Sequence, residues 1–239
     1  MNHIVRLYKG VYEASGGSSA EIFHDGLHLQ RFMDIFYVSG ATDLLNAEQV
    51  EALCRSRAEH PATFTGGANA QVRQIFKRFV ASFRPSTLLE VGAGTNPLFS
   101  TAEASAYEIS YVRSDADPTN VEGGEIFSGT TSSLRYPPDH FKLAVAIFVL
   151  HFKFYDVQIS ELHRCLSSLG LFIANVYRRS SASRMKLLED FRCHGFKCEL
   201  IDDPQSLCRT HQYLIAAKSD SVLLRGIEEF KKDMVNLDV

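Results

Sequence analysis

The sequence predicts an α/β fold, a β-sheet flanked by crossover helices and preceded by an N-terminal helical cap, and three observations carry that prediction. From Thr87 onward short apolar runs alternate with helix-like stretches, the pattern of strands joined by crossover helices. One of those runs, Leu88-Leu89-Glu90-Val91, enters a glycine turn, Gly92-Ala93-Gly94. Ahead of it, apolar and aromatic residues recur at helical spacing between Gly and Pro breaks.

Size and composition agree with one α/β domain and a smaller extra element. The chain has 239 residues, 45% apolar and 22% charged, the balance of an ordinary globular protein with a sizeable core. Twenty-five Lys and Arg against 28 Asp and Glu leave a net charge of −3, so no general basic field attracts a phosphate backbone and no nucleic-acid partner is expected. No apolar run reaches the ~20 residues that span a bilayer. The start, MNHIVRLYKGVYEASGG, lacks the apolar core of a signal peptide. No membrane partner and a cytoplasmic location are expected.

The five cysteines, at 54, 165, 193, 198 and 208, are an odd number without CxxC spacing and read as free thiols. Cys193-His194 with Cys198 lacks a fourth ligand, and His24 and His28 are not followed by the glutamate of an HExxH motif. No metal is expected.

Residues 1–68 read as the cap. Leu27, Leu29, Phe32, Ile35 and Phe36, then Leu44, Leu45, Val50 and Leu53, suggest several short helices, with Thr42 or Asp43 capping the one that carries Glu48 and Leu53. The Gly66-Gly67 turn hands over to a firmer helix from Asn69 to Phe83, which opens the second unit, 69–239. Strands are placed at Thr87 to Val91, Glu108 to Ser114, Leu143 to Phe148, Leu171 to Val176, Lys197 to Ile201 and Gln212 to Lys218. Helices are placed at Pro97 to Ala106, Asp156 to Leu166 and Ser183 to His194, with a last one over 219–236. About ten residues with Pro204 separate the final two strands, too few for a crossover helix, so that pair should be antiparallel.

The glycine turn is the most informative stretch. Asn96 suits a helix cap and Pro97 the first helical position, while glycines at 92 and 94 let backbone approach a ligand. Pro97 stands where a dinucleotide fingerprint wants Gly or Ala, and no Lys-Ser/Thr follows as in a P-loop. NAD and ATP both lose ground. Asp115 lies 21 residues after Gly94 at the next strand's end, where a carboxylate can accept both ribose hydroxyls. Asp117, before Pro118, reads as a cap acid.

Glu90 with Gly92-Ala93-Gly94 resembles motif I of the class I S-adenosylmethionine (SAM)-dependent methyltransferases, and Tyr111 to Pro118 resembles their second motif. Phe141 to Phe152 looks like the fourth-strand motif, and Glu161 to Ala174 like the helix, turn and fifth strand, so the resemblance covers residues 70–218. It implies a Rossmann-like, doubly wound, seven-stranded sheet with an antiparallel last strand, and SAM as co-substrate. Glu90, Gly92, Ala93, Gly94, Asn96, Asp115, Ala116 and Phe148 then become cofactor-binding candidates. Arg73, after the turn Phe64 to Asn69, could meet the SAM carboxylate. Two family acids are missing. Thr130, beside Thr131, stands where an Asp commonly meets the adenine amino group, and Lys142 stands where the fourth strand usually starts with Asp.

His151 follows the fourth strand and Tyr177 the fifth, so His151 is a candidate general base and Tyr177 a pocket residue. Tyr8 and Tyr12 of the cap are the other catalytic candidates; with Phe148, Phe152 and Tyr177 they could offer aromatic faces to a sulfonium. The leading expectation is methyl transfer to a small-molecule acceptor. One alternative spends SAM on its aminocarboxypropyl arm, by transfer or ring closure, and releases methylthioadenosine. Another is a non-catalytic SAM-binding interaction protein docking through Leu223, Ile227 and Phe230. A homodimer is compatible with either.

Overall fold

A computed structural model describes residues 3–15, 19–33, 35–60, 67–121, 123–203 and 211–235. Pro204, Cys208 and the Phe64 to Gly66 part of the turn before Arg73 lie outside them.

The N-terminal part is a sheet, which corrects the expectation of a helical cap. Strands β1 (His3–Tyr8), β2 (Val11–Ser15), β3 (Glu21–His24), β4 (Leu27–Phe32) and β5 (Phe36–Val38) pair antiparallel in the order β1-β2-β5-β4-β3. The helical spacing of Phe32 and Phe36 has a simple origin. They face each other across the tight β4–β5 turn, which places paired residues four apart. The Asp25-Gly26 turn joining β3 to β4 takes positive φ at both residues (51° and 74°), the hairpin geometry that this dipeptide favours.

One helix, α1 (Ala47–Ala58), completes the cap. Its N-terminus is closed by Asn46 with Gln49 in a reciprocal capping box, not by Thr42 or Asp43, which form a 3-10 turn (Thr42–Leu44). Val50 and Leu53 pack with Val11, Phe32, Phe36 and Val38 of the sheet and with Phe152 of the second unit. Each such buried apolar side chain contributes roughly 1.5 to 3 kcal/mol, so this layer fixes α1 over the second unit. Polar bonds point the same way: Thr42 Oγ1 donates to the His151 carbonyl at 2.7 Å, and Tyr155 Oη to the Leu45 carbonyl at 2.9 Å.

After α2 (Gly67–Phe83) come β6 (Thr87–Val91), α3 (Thr101–Ala106), β7 (Ser110–Asp115), β8 (Glu125–Ile126), β9 (Phe141–Ala146), α4 (Asp156–Cys165), β10 (Leu166–Val176), α5 (Ser181–Cys193), β11 (Lys197–Asp202), β12 (Gln212–Ala217) and α6 (Asp220–Val235). The seven strands stand in the order β11-β12-β10-β9-β6-β7-β8, with β12 antiparallel to both neighbours and the pairs from β10 to β8 parallel. The expected seven-stranded α/β sheet with an antiparallel final strand is therefore present. Alternate residues of each strand serve opposite layers. Leu88, Leu143, Val145 and Ile173 pack with α2 and α6, whereas Leu89, Ala144, Phe172 and Ala174 pack with α4 and α5.

The helix expected from Pro97 begins later, at Thr101, because Ser100 and Glu103 form its capping box. Among the described residues, no helix is long and apolar enough to cross a membrane, and no His, Cys, Asp and Glu cluster could hold a metal.

Candidate functional site

The strand order reverses between β6 and β9, and such a switch point opens a crevice at the strands' C-terminal ends. The loops that fill it come from β6, β7, β8 and β9, and α1 covers it.

Gly92 and Gly94 shape its floor. Gly92 adopts φ +70°, and a Cβ there would lie 2.3 Å from Val149 Cγ2, so both backbone and space require glycine. Gly94 adopts φ +56° with nothing within 4 Å of where a Cβ would stand, which leaves the backbone open toward the cavity. The bend is tied to the next strand: Ala93 N–H donates to the Ser114 carbonyl at 3.0 Å, and Gly94 N–H to Asp115 Oδ2 at 2.9 Å. Asp115 Oδ1 accepts from Asp117 N–H at 2.9 Å and Asn120 Nδ2 at 3.2 Å. Asp117 itself caps the 3-10 turn Pro118–Asn120.

Glu90 does not line the cavity. Buried at 1% exposure, it accepts from Leu98 N–H at 2.9 Å and from the Tyr111 hydroxyl, bracing the segment after the glycines. Burial pushes its carboxyl above the ordinary range, partly offset by the Tyr111 and Leu98 bonds and by Arg73.

Arg73 of α2 does line the cavity. Its Nε donates to Asn69 Oδ1 at 2.8 Å, while the buried Nη1 has no hydrogen-bond partner. Burial lowers its pKa, with Glu90 opposing.

Asn96 and Ala116 line the same cavity, whereas Thr130 and Thr131 stand behind its wall. Thr130 Oγ1 donates to Glu51 Oε1 of α1 at 2.5 Å, and the N–H groups of Thr130 and Thr131 share Ser128 Oγ at 3.2 and 3.0 Å. Ser128 and Gly129 form the wall, with Phe127 and Tyr155.

Phe148 lines the floor with a φ of +58°, costly for a bulky residue and held by its N–H bond of 2.6 Å to Asn175 Oδ1. His151 lies behind it, fully buried, with ring centroids 4.0 Å from Phe152, 4.9 Å from Tyr177 and 5.4 Å from Phe32. Neither ring nitrogen has a hydrogen-bond partner. Burial, reinforced by Arg57, Arg178 and Arg179, drives its pKa well below the ordinary histidine value, so the imidazole is neutral. Tyr177 also contacts Phe148 and His211, at 5.3 and 5.2 Å.

Tyr8 and Tyr12 are placed elsewhere. Tyr8 is exposed, Tyr12 is buried in the N-terminal sheet with its hydroxyl on Asp25 at 3.1 Å, and neither lines the cavity. The lining adds α1 residues absent from the sequence-based candidates, among them Glu51, Cys54 and Arg57. Burial pushes the Cys54 thiol up to about 12, an unreactive state.

The chemistry of the lining fits SAM: an acceptor-only carboxylate at Asp115 suits a diol, a guanidinium at Arg73 suits a carboxylate, and Gly94 leaves space for a ligand to approach the backbone.

No family model matches the sequence, and no curated protein matches it. Solved structures do. The 1,6-didemethyltoxoflavin-N1-methyltransferase of Burkholderia thailandensis, solved with bound 1,6-didemethyltoxoflavin and S-adenosylhomocysteine, matches with a TM-score of 0.53 at 16% identity, covering 84% of this chain and 100% of that one. A TehB-like SAM-dependent methyltransferase from Corynebacterium glutamicum matches with a TM-score of 0.47 at 13% identity, covering 73% of this chain and 100% of that one. The fold is that of the class I SAM-dependent methyltransferases.

Proposed function

We propose that this chain is a SAM-dependent methyltransferase acting on a small-molecule acceptor. The observation that carries the reading is the convergence, in the lining of one cavity, of the open Gly94 backbone, the Asp115 carboxylate and the Arg73 side chain. Bound SAM supplies an electrophilic methyl group on a sulfonium. The residues of the chain do the rest. Asp115 accepts the ribose hydroxyls, Arg73 with Asn69 holds the carboxylate, and Phe148 presents an aromatic face beside the sulfonium.

The cap excludes water and positions the acceptor, and positioning is a large part of such catalysis. His151, buried neutral behind the floor residues Phe148 and Phe152 and not part of the cavity lining, supports that floor with Tyr177 packed against it and is not placed to take the acceptor's proton. A small acceptor agrees with the net charge of −3 and with a site roofed by α1.

The test is product analysis. Protein incubated with SAM and a metabolite extract should yield S-adenosylhomocysteine and a product heavier by one methylene. Methylthioadenosine as the only nucleoside released would replace this reading with chemistry on the aminocarboxypropyl arm.

A further inference from the structure

We propose that Glu51 selects the cofactor's base: a carboxylate on the cap helix that accepts a hydrogen bond from the 6-amino group of an adenine. The proposal rests on the reading that the cavity takes SAM.

The cavity wall follows the strand ends in order. The glycine bend leaves β6, Asp115 ends β7, and Phe127, Ser128 and Gly129 follow β8, which pairs with β7 at Asp115 and Ile126. A nucleoside lying across these ends with its ribose at Asp115 has its base against the β8 loop. That part of the wall offers Phe127 and Tyr155, flat apolar surfaces suited to a purine. Its hydroxyls are already committed, because Ser128 Oγ accepts from the N–H groups of Thr130 and Thr131, and Thr130 Oγ1 donates to Glu51.

Among the described lining residues the two acids are Asp115 and Glu51. Glu51 reaches the β8 loop from α1, whose packing places the carboxylate there; the 2.5 Å bond from Thr130 engages Oε1, while Oε2 is not engaged by that bond. A carboxylate only accepts. It favours an exocyclic amino group and opposes the lone pairs of a 6-oxo purine. The loop carries Thr130 where an acid could have stood, and the cap supplies the acid instead. Cofactor and cap are thereby linked, since the base is read by a residue of the element that roofs the site.

The experiment is calorimetric titration of the full chain with S-adenosylhomocysteine and with its inosine counterpart, S-inosylhomocysteine. The wild-type protein should prefer the amino form by about tenfold or more, the scale of one charge-assisted hydrogen bond. Glu51→Gln, whose amide can accept or donate, should bring the two affinities to within a few-fold. Thr130→Val, which removes the same inter-element bond but keeps the carboxylate, should retain the preference and so separates base reading from a loss of cap contact. Retention of the full preference by Glu51→Gln, or its loss in Thr130→Val alone, overturns the proposal while leaving the SAM reading intact. Binding of neither compound by wild-type protein overturns both.

Discussion

At the scale of single residues, burial sets the charge state, and His151 behind the cavity floor shows how directly. Its pKa lies below the ordinary value of ~6.5, so between that value and its folded pKa the unfolded chain takes up a proton that the folded chain refuses. Stability therefore falls as pH drops below about 6.5, by up to ~1.4 kcal/mol per pH unit for this group. Thermal melting from pH 7.5 to 5.5 should show that decline, and His151→Phe should make it shallower. His163 and His211, also lowered by burial, leave a residual slope of the same sign. An unchanged slope in the variant would mean that the imidazole is not buried neutral. Arg73 gives a second test at this scale. Arg73→Ala should weaken S-adenosylhomocysteine binding by about tenfold to a hundredfold, as expected for a charge-assisted bond, and should leave adenosine binding nearly unchanged, because adenosine has no carboxylate. Equal losses for both ligands would place Arg73 away from the carboxylate.

At the scale of elements, legibility followed burial. Strands β6 and β9 to β12 are apolar runs between helices, so their approximate positions could be read from composition, and β6 was placed to the residue. The glycine bend and Asp115 were also visible, because both lie on consecutive strand ends with a fixed spacing. The N-terminal strands were hidden. They are short, and Phe32 and Phe36 imitate a helical repeat by facing each other across a turn. The missed signal was Asp25-Gly26 between alternating residues. Glu51 could not have been found, since nothing in α1 announces which loop it will face. The hairpin makes its own prediction: Gly26→Val, forced into φ +74°, should destabilise the chain by ~1 to 3 kcal/mol and lower the melting temperature. A neutral effect would argue against the β3–β4 turn. Helix α1 makes another: Asn46→Ala removes the capping bond to Gln49 and should cost about 1 kcal/mol.

At the scale of the molecule, a cap of five strands and one helix is packed onto the end of a seven-stranded α/β sheet where the strand order reverses, and the cavity lies between them. Thr42, Leu45 and Glu51 on the cap side each bond to the loops after β8 and β9, so cavity and cap form one arrangement. All of the chemistry proposed depends on the bend at Gly92 to Gly94 and the Asp115 carboxylate receiving an adenosyl ligand together. Isothermal titration of the purified chain with S-adenosylhomocysteine tests this most directly, run beside Asp115→Asn, which keeps one acceptor oxygen for Asp117 N–H and Asn120 and loses the second. Saturable one-to-one binding, weakened at least about tenfold in a variant that melts like the parent, is the expected result. Absence of heat with the parent protein, or equal affinity in the two, would contradict it.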